Sequence, residues 1–134
     1  MKSIYLAGPL FTAAEIKFNL ELYKILTEKG YHVFLPQQEC AGKELEDIFH
    51  TCKTGVDASD AILAILDGAD ADSGTCWECG YAVAKNKPVV LVRTDIRHSG
   101  DTKGFNAMLY YSASAVVESR GDFIPGILEA LEKL

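Results

Sequence analysis

An α/β fold, in which helices cover both faces of a parallel sheet, is the class that this sequence predicts. Two observations lead to it. Short apolar runs alternate along the chain with longer stretches whose apolar residues recur at helical spacing. One of the runs, residues 61–66 (AILAIL), is apolar throughout, as expected for a strand that is covered on both faces.

The first third of the chain predicts strand, helix and strand. Residues 3–7 (SIYLA) form a short apolar run closed by a Gly-Pro pair, which is typical of a buried strand. Residues 12–29 have the helical spacing, and a glycine follows where it would end a helix. Residues 31–35 (YHVFL), ended by a proline, predict the second strand.

The middle of the chain continues the alternation. Residues 42–59 mix charged and apolar side chains and predict a broken or two-part amphipathic helix. Residues 61–66 are then the third strand, 75–86 a helix, and 88–93 (PVVLVR) the fourth strand.

Residues 115–117 belong to a predicted fifth strand, and residues 123–134 to a closing amphipathic helix. Strands that alternate with helices imply right-handed crossovers and hence parallel pairing. We therefore expect a three-layer α/β/α sandwich with a five-stranded parallel sheet of the flavodoxin-like or Rossmann-like kind. A single domain over residues 1–134 is sufficient, since no linker or repeat interrupts the pattern.

Composition narrows the class of protein. With 49% hydrophobic and 24% charged residues the chain reads as a soluble globular protein. Its longest apolar run is too short to span a bilayer, and the N-terminus lacks the regions of a signal peptide, so we expect a cytoplasmic protein without a membrane partner. A net charge of −6 and the lack of a basic stripe argue against nucleic acid and favour a small-molecule ligand.

Four cysteines allow a test for metal or redox chemistry. Cys76 and Cys79 form a CxxC, the spacing of a redox pair or of half a zinc site. No second CxxC and no histidine pair at ligand spacing accompanies it. Buried free cysteines are the favoured interpretation, and we expect neither a metal nor a cofactor.

Ligands of a parallel α/β sheet bind beyond the carboxyl ends of its strands, near the point where strand order reverses. The segment DSGTCWECGYA, residues 72–82, follows the third strand and therefore lies at that edge. Neither GxGxxG nor GxxxxGK[ST] is present, so no nucleotide-binding loop is predicted. Thr75 and Glu78 match the capping box S/T-x-x-E, and Asp72 fits a loop aspartate, so this segment is either a helix start or a catalytic one.

Four segments together resemble the nucleoside 2-deoxyribosyltransferase family: IYLAGPLF (4–11), SDAILAILDG (59–68), DSGTCWECGYA (72–82) and GFNAMLYY (104–111). The resemblance implies a retaining transfer of 2-deoxyribose between nucleobases of 2-deoxynucleosides, through a covalent intermediate on a glutamate. An N-glycoside hydrolase of nucleosides or nucleotides is the alternative, and a non-catalytic module that binds a nucleotide derivative is the third. The first loop has no serine and arginine cluster for phosphate, which favours nucleosides.

The resemblance assigns the catalytic residues. Glu78 matches the nucleophilic glutamate, and the dipole of a helix near its first turn would favour the ionised carboxylate by about 0.3 to 1 kcal/mol. Asp72 matches an aspartate that contacts the substrate. Tyr5 matches a tyrosine that hydrogen-bonds the nucleophile and orients it.

The resemblance also assigns substrate-binding residues. Asn106 and Met108 match a pair that reaches into the neighbouring subunit's site, which implies a homo-oligomer with shared sites. Phe11 and Gln37, with Gly8 at the start of the first loop, are expected at the base pocket, where a glutamine amide can offer both a donor and an acceptor.

One position departs from the family pattern. Cys52 stands where many members carry aspartate or asparagine, the aspartate being a candidate proton donor to the departing base. A thiol is a weaker acid and a weak hydrogen-bonding group. Either Asp72 donates the proton, or water does, or the preferred base differs.

Overall fold

Five parallel strands form the single sheet of the computed structural model, which describes residues 2–98, 100–102 and 104–134. They are β1 (Ser3–Ala7), β2 (His32–Phe34), β3 (Ala61–Ile65), β4 (Val89–Arg93) and β5 (Ala115–Glu118). Their order in the sheet is β2-β1-β3-β4-β5, and every neighbouring pair is parallel. The predicted five-stranded parallel sheet is confirmed.

Helices occupy both faces of the sheet. They are α1 (Ala13–Glu28), α2 (Pro36–Glu39), α3 (Leu45–Ala58), α4 (Ser73–Ala84), α5 (Ala107–Ser112) and α6 (Ile124–Glu132). Apolar residues of α1 and α6 pack on one face, and those of α3, α4 and α5 pack on the other. The predicted three-layer sandwich is therefore the observed architecture.

Alternation along β1 decides which face its side chains join. Ile4 and Leu6 belong to the core under α1 and α6, whereas Tyr5 and Ala7 belong to the core under α3 and α4. Tyr5 thus points toward α4, the helix that contains all of the DSGTCWECGYA segment after Asp72.

One predicted helix is corrected, and two short helices are added to the prediction. Residues 42–59 do not form a broken helix, because α3 runs without interruption from Leu45 to Ala58. Gly55 is accommodated in it because a Cβ there would lie 2.7 Å from the ring of Phe34, so a close approach to β2 requires glycine. The short helices α2 and α5 were not predicted, since four and six residues are too few to display a helical period.

The start of α4 also differs from the prediction. Thr75 is not the N-cap: the helix begins at Ser73, and Asp72 caps it. A complete capping box is present instead at α1, where Thr12 and Glu15 satisfy each other's backbone amides.

Within the described ranges, no helix combines the length and the apolar character needed to cross a membrane.

Candidate active site

A pocket of about 420 Å³ opens at the carboxyl ends of β1 and β2. Five predicted site residues line it: Gly8, Phe11, Gln37, Cys52 and Glu78. A neighbouring pocket of about 290 Å³ shares Cys52 and Glu78 and is completed by side chains that include Phe49 and Trp77. The structure thus brings together residues from β1's loop, α2, α3 and α4.

The pocket lies beside β1 and β2, not at the reversal of strand order between β1 and β3. A separate cavity of about 260 Å³ occupies that position, and it contains none of the predicted site residues. Its acidic groups already have partners: Asp67 accepts from the backbone N–H of Thr94 at 2.7 Å, and Asp95 pairs with Arg97 at 2.6 Å. The pocket that contains Glu78 is therefore at the predicted edge of the sheet, but it lies one strand away from the predicted reversal of strand order.

Tyr5 and Glu78 form the central contact of the site. The Tyr5 hydroxyl donates a hydrogen bond to Oε2 of Glu78, joining the middle of β1 to α4. Tyr5 is fully buried, and its ring stacks on that of Phe34 with centroids 5.0 Å apart. Because the ring is packed on both sides, the hydroxyl is held in one position against the carboxylate.

Burial raises the pKa of Glu78 to about 7. The nearby Asp72 carboxylate also raises this pKa, and the hydrogen bond from Tyr5 opposes the rise. The predicted stabilisation of the ionised carboxylate by the helix dipole was based on a position near the first turn of the helix. Because α4 starts at Ser73, Glu78 lies in its second turn, where the dipole has a smaller effect. The Tyr5 hydroxyl, more than the helix, stabilises the ionised carboxylate.

Burial, followed by the charge of Glu78, raises the pKa of Tyr5 far above its ordinary range. Tyr5 therefore remains protonated at every physiological pH and is a permanent donor to Glu78.

Asp72 caps α4 and lies close enough to Glu78 for its charge to raise the pKa of that carboxyl, but it lines neither pocket that contains Glu78. Its Oδ2 accepts from the backbone N–H of Thr75 at 2.9 Å and from the Thr75 hydroxyl at 3.0 Å. Its Oδ1 accepts no hydrogen bond from the residues that the structure describes, and the side chain is partly exposed. The capping function and a substrate contact are therefore compatible, since each uses a different oxygen.

Gln37 is placed in the pocket wall, but its amide is not free. Nε2 donates to the backbone carbonyl of Ile16 at 3.1 Å, and Oε1 is buried without a donor among residues 2–98, 100–102 and 104–134. The expectation that this amide offers donor and acceptor together is therefore not met by the observed rotamer.

Cys52 lies in the pocket wall beside a second thiol that sequence reasoning did not single out. The sulfur of Cys40, at the end of α2, is 3.5 Å from the sulfur of Cys52. Cys52 also lies close enough to the hydroxyl of Tyr5 to raise the pKa of that hydroxyl further. No spacing rule links a residue at the end of one helix with one in the middle of the next, so only the fold reveals this pair.

Asn106 and Met108 lie apart from the pocket in the isolated chain. Asn106 is the N-cap of α5, where its Oδ1 accepts from the backbone N–H of Leu109 at 2.9 Å. Met108 is 83% exposed on the same helix. Neither residue lines the two pockets that contain Glu78.

Arg93, a buried residue that the sequence did not point to, ties the loops at this edge together. Its guanidinium donates to the carbonyls of Leu66 at 2.6 Å and Gly68 at 3.1 Å. These contacts secure the segment that leads from β3 to Asp72. A charged residue at the end of an apolar strand was the available signal, since a buried arginine needs several acceptors.

The partly buried Glu78 carboxylate is expected to lower stability above neutral pH. Its folded-state pKa of about 7 exceeds the ordinary 4.5, so between these values the folded chain holds a proton that the unfolded chain releases, and stability falls as pH rises. Glu78→Gln, which stays neutral, should increase the free energy of unfolding at pH 8 by roughly 2 to 3 kcal/mol. Urea unfolding of the wild type and the variant at pH 5 and pH 8 measures this. An equal difference in free energy of unfolding between the two proteins at both pH values would contradict the prediction.

Comparison with known proteins gives a family match and several solved structures of similar fold. The sequence model of the family described as nucleoside 2-deoxyribosyltransferase matches residues 4–123. A 2-deoxyribosyltransferase from Bacillus psychrosaccharolyticus is similar in structure, with a TM-score of 0.75 and 26% identity over 90% of this chain and 88% of that chain. No curated protein sequence matches.

Two further solved structures share the fold at lower identity. A 2-deoxyribosyltransferase from Leishmania mexicana has a TM-score of 0.77 and 22% identity, covering 100% of both chains. A CMP N-glycosidase from Clostridium botulinum has a TM-score of 0.67 and 20% identity, covering 96% of this chain and 99% of that chain.

The family match contains all four segments that carried the resemblance, and it includes the strand that bears Tyr5 and the helix that bears Glu78. Solved structures of the same fold include a 2-deoxyribosyltransferase and a CMP N-glycosidase. The chain belongs to the nucleoside 2-deoxyribosyltransferase family.

Proposed function

We propose that the protein transfers 2-deoxyribose between nucleobases of 2-deoxynucleosides by a retaining double displacement, with Glu78 as the nucleophile. The observation that carries the proposal is the hydrogen bond between the fully buried Tyr5 and the partly buried Glu78 at the wall of a pocket. A carboxylate held by one donor, with a pKa of about 7, is substantially ionised at neutral pH and only weakly solvated.

In the first displacement, an oxygen of Glu78 attacks the anomeric carbon while the bond to the base nitrogen breaks. The bonding electrons leave with the base, which takes up a proton, and the sugar becomes esterified to Glu78. In the second, a nitrogen of the acceptor base attacks the same carbon, gives its proton to the group that protonated the departing base, and releases the carboxylate. Two inversions return the original configuration.

Tyr5 and Asp72 have distinct proposed parts in this reaction. Tyr5 donates to one oxygen of Glu78 and so holds the other toward the pocket. Asp72 has one oxygen engaged in the cap of α4, which leaves Oδ1 for a hydroxyl of the sugar or an N–H of the base. Phe11, 80% exposed at the pocket, supplies an apolar surface for the base.

The primary test is an exchange assay with purified protein. Deoxyinosine or thymidine is incubated with and without free adenine, and the products are separated by chromatography. A new deoxynucleoside that forms only with adenine supports the transferase. Free base and deoxyribose without exchange would replace it by the hydrolase, and no turnover of any nucleoside or nucleotide would leave a binding module.

Hydrolysis is the second candidate because the same sugar ester can be attacked by water. The pocket of the single chain has the exposed Phe11 and the half-exposed Trp77 at its margins. Water is thus excluded only if the bound base or a neighbouring subunit covers this opening.

Replacement of Cys52 is expected to change base preference. Cys52→Asp places a carboxyl group in the pocket wall beside Tyr5 and Glu78, where it can donate a proton to a departing base. We expect the ratio of purine to pyrimidine exchange rates to change by about tenfold. Competition assays with paired bases measure it, with Cys76→Ser outside both pockets as control. Unchanged ratios for every base would remove Cys52 from the site.

We propose that the site is shared between subunits of a homo-oligomer. Asn106 and Met108 lie outside the pocket of their own chain, and Met108 and Tyr111 are 83% and 78% exposed on α5. Large exposed apolar side chains in one patch are typical of a protein interface.

Subunit mixing tests the shared site directly. Glu78→Ala and Asn106→Ala should each be inactive alone. When equal amounts are unfolded and refolded together, about half of the dimers are mixed, and each mixed dimer has one intact site of two. The mixture should therefore regain about a quarter of wild-type activity. The control mixes Glu78→Ala with Tyr5→Phe, which lie in one site and should show no rescue. Absence of rescue in the first mixture would contradict shared sites.

A further inference from the structure

Two thiols from different helices meet in the wall of the candidate pocket. Cys40 caps the C-terminal end of α2, and Cys52 lies within α3. Their sulfur atoms are 3.5 Å apart, and both residues are partly exposed and line the pocket that contains Glu78. In the part of the chain that the structure describes, no other two cysteine sulfurs are in such contact.

We propose that Cys40 and Cys52 are a site of reversible oxidation. Exchange with a small disulfide of the glutathione class joins these two cysteines in an intramolecular bridge, and the bridge inactivates the enzyme. The loss of activity rests on the proposed function, whereas formation of the bridge does not.

The geometry suits a bridge between these two residues. A disulfide has a sulfur–sulfur distance of about 2.05 Å, so the two atoms must approach by roughly 1.5 Å. Cys40 directly follows a four-residue helix and begins a loop that includes a glycine with positive φ, Gly42. Such a segment adjusts more easily than the interior of α3 does.

The CxxC of α4 is the less suitable pair, although its spacing attracts attention in the sequence. Cys79 is buried in the core, whereas Cys40 and Cys52 are both partly exposed. Neither Cys76 nor Cys79 lines a pocket that contains Glu78. A disulfide reagent entering the substrate pocket therefore meets Cys40 and Cys52 first.

The reaction is a thiol–disulfide exchange with a closed balance. One protein thiolate attacks the reagent and releases one reduced thiol, giving a mixed disulfide. The second protein thiolate then attacks the protein sulfur and releases the other reduced thiol. The two cysteines lose two electrons and two protons, and the reagent is reduced to two thiols.

The bridge affects the candidate nucleophile through contacts that are present in the fold. Cys52 lies beside the Tyr5 hydroxyl and raises its pKa, and that hydroxyl donates to Glu78. Oxidation removes the S–H group of Cys52 and draws α2 and α3 together at the pocket. A displacement of about 1 Å at a catalytic constellation can lower the rate on the order of 100-fold.

The rate of oxidation should increase with pH. Burial and the contact with Cys52 raise the pKa of Cys40 to about 12, so little of its thiolate is present at pH 7. Transient disulfides in cytosolic enzymes are most often regulatory, which fits a pair that stays reduced until oxidising conditions persist.

The test treats the full chain with oxidised glutathione at pH 8.5, alkylates the remaining thiols, and maps peptides by mass spectrometry without reduction. We expect a cross-linked peptide pair containing Cys40 and Cys52, a fall in exchange activity on the order of 100-fold, and recovery with dithiothreitol. Cys76→Ser should behave like the wild type. In Cys40→Ser, the ratio of activity before and after treatment should stay near one.

Each remaining outcome has a defined meaning. Glutathione left on one cysteine, or a bridge between Cys76 and Cys79, would overturn the proposed pair. A Cys40–Cys52 bridge in fully active protein would overturn the inactivation. A reduced protein without any turnover would contradict the proposed function, while the peptide map would still decide whether the bridge forms.

Discussion

Glu78→Gln should lower the rate of deoxyribose exchange by at least about a thousandfold, because an amide cannot form the sugar ester on which the double displacement depends. The substitution retains the shape of the side chain and an oxygen that accepts from Tyr5. Folding is therefore expected to be preserved, and even strengthened above neutral pH, where the wild-type carboxylate is a buried charge.

The measurement is single-turnover exchange with wild type and variant at pH 8, where the wild-type carboxylate is mostly ionised. Glu21→Gln, an exposed position on α1, is the matched control and should leave the rate unchanged. Acid quenching of the wild type should yield a peptide with one deoxyribosyl group on Glu78. A variant that retains a tenth of the activity, or an adduct on another residue, would contradict the assignment.

Tyr5→Phe should both slow the reaction and move its pH dependence. The acid side of the kcat/KM profile of the wild type should have its midpoint near pH 7, since only ionised Glu78 is nucleophilic and its pKa is about 7. The Tyr5 hydroxyl lowers that pKa, so its removal raises it and shifts the midpoint to higher pH. At pH 7 we expect a loss of about 10- to 100-fold, from reduced ionisation and from lost orientation of the carboxylate.

A pH series separates these two contributions. If ionisation were the whole effect, the variant would recover the wild-type rate at high pH; a residual loss there measures orientation. Tyr23→Phe on α1, far from Glu78 in the other core, is the control and should leave the midpoint unchanged. A midpoint that does not move in Tyr5→Phe would mean that Tyr5 does not contact the ionised nucleophile.

Much of the fold was predictable because its signals are local. The apolar runs at residues 3–7 and 61–66 match β1 and β3 to within one residue, and the long amphipathic stretch at residues 12–29 matches α1. These elements are long or strongly apolar, so a few neighbouring residues are sufficient to identify them. The three-layer arrangement then follows from the handedness of the crossovers.

The errors concern features whose cause is not local. Capping of α4 by Thr75 was wrong because Asp72 is an equally good cap and begins the helix three residues earlier. The position of the pocket beside β2 depends on α2, which was not predicted, and on α3, which was predicted as a broken helix. The engagement of the Gln37 amide by Ile16 is likewise a contact across the fold.

The sequence by itself determined the alternation of strands and helices, the edge of the sheet at which Asp72 and Glu78 lie, and the family to which the motifs belong. Only the tertiary structure decided the protonation behaviour of the Glu78 carboxyl group. Its pKa depends on burial between layers and on a tyrosine that is 73 residues distant in the chain. The contact between the thiols of Cys40 and Cys52 likewise depends on the packing of two different helices. Electrostatic and hydrogen-bonding effects act through space over a few ångströms, so they are set by which segments pack together and not by the spacing of residues along the chain.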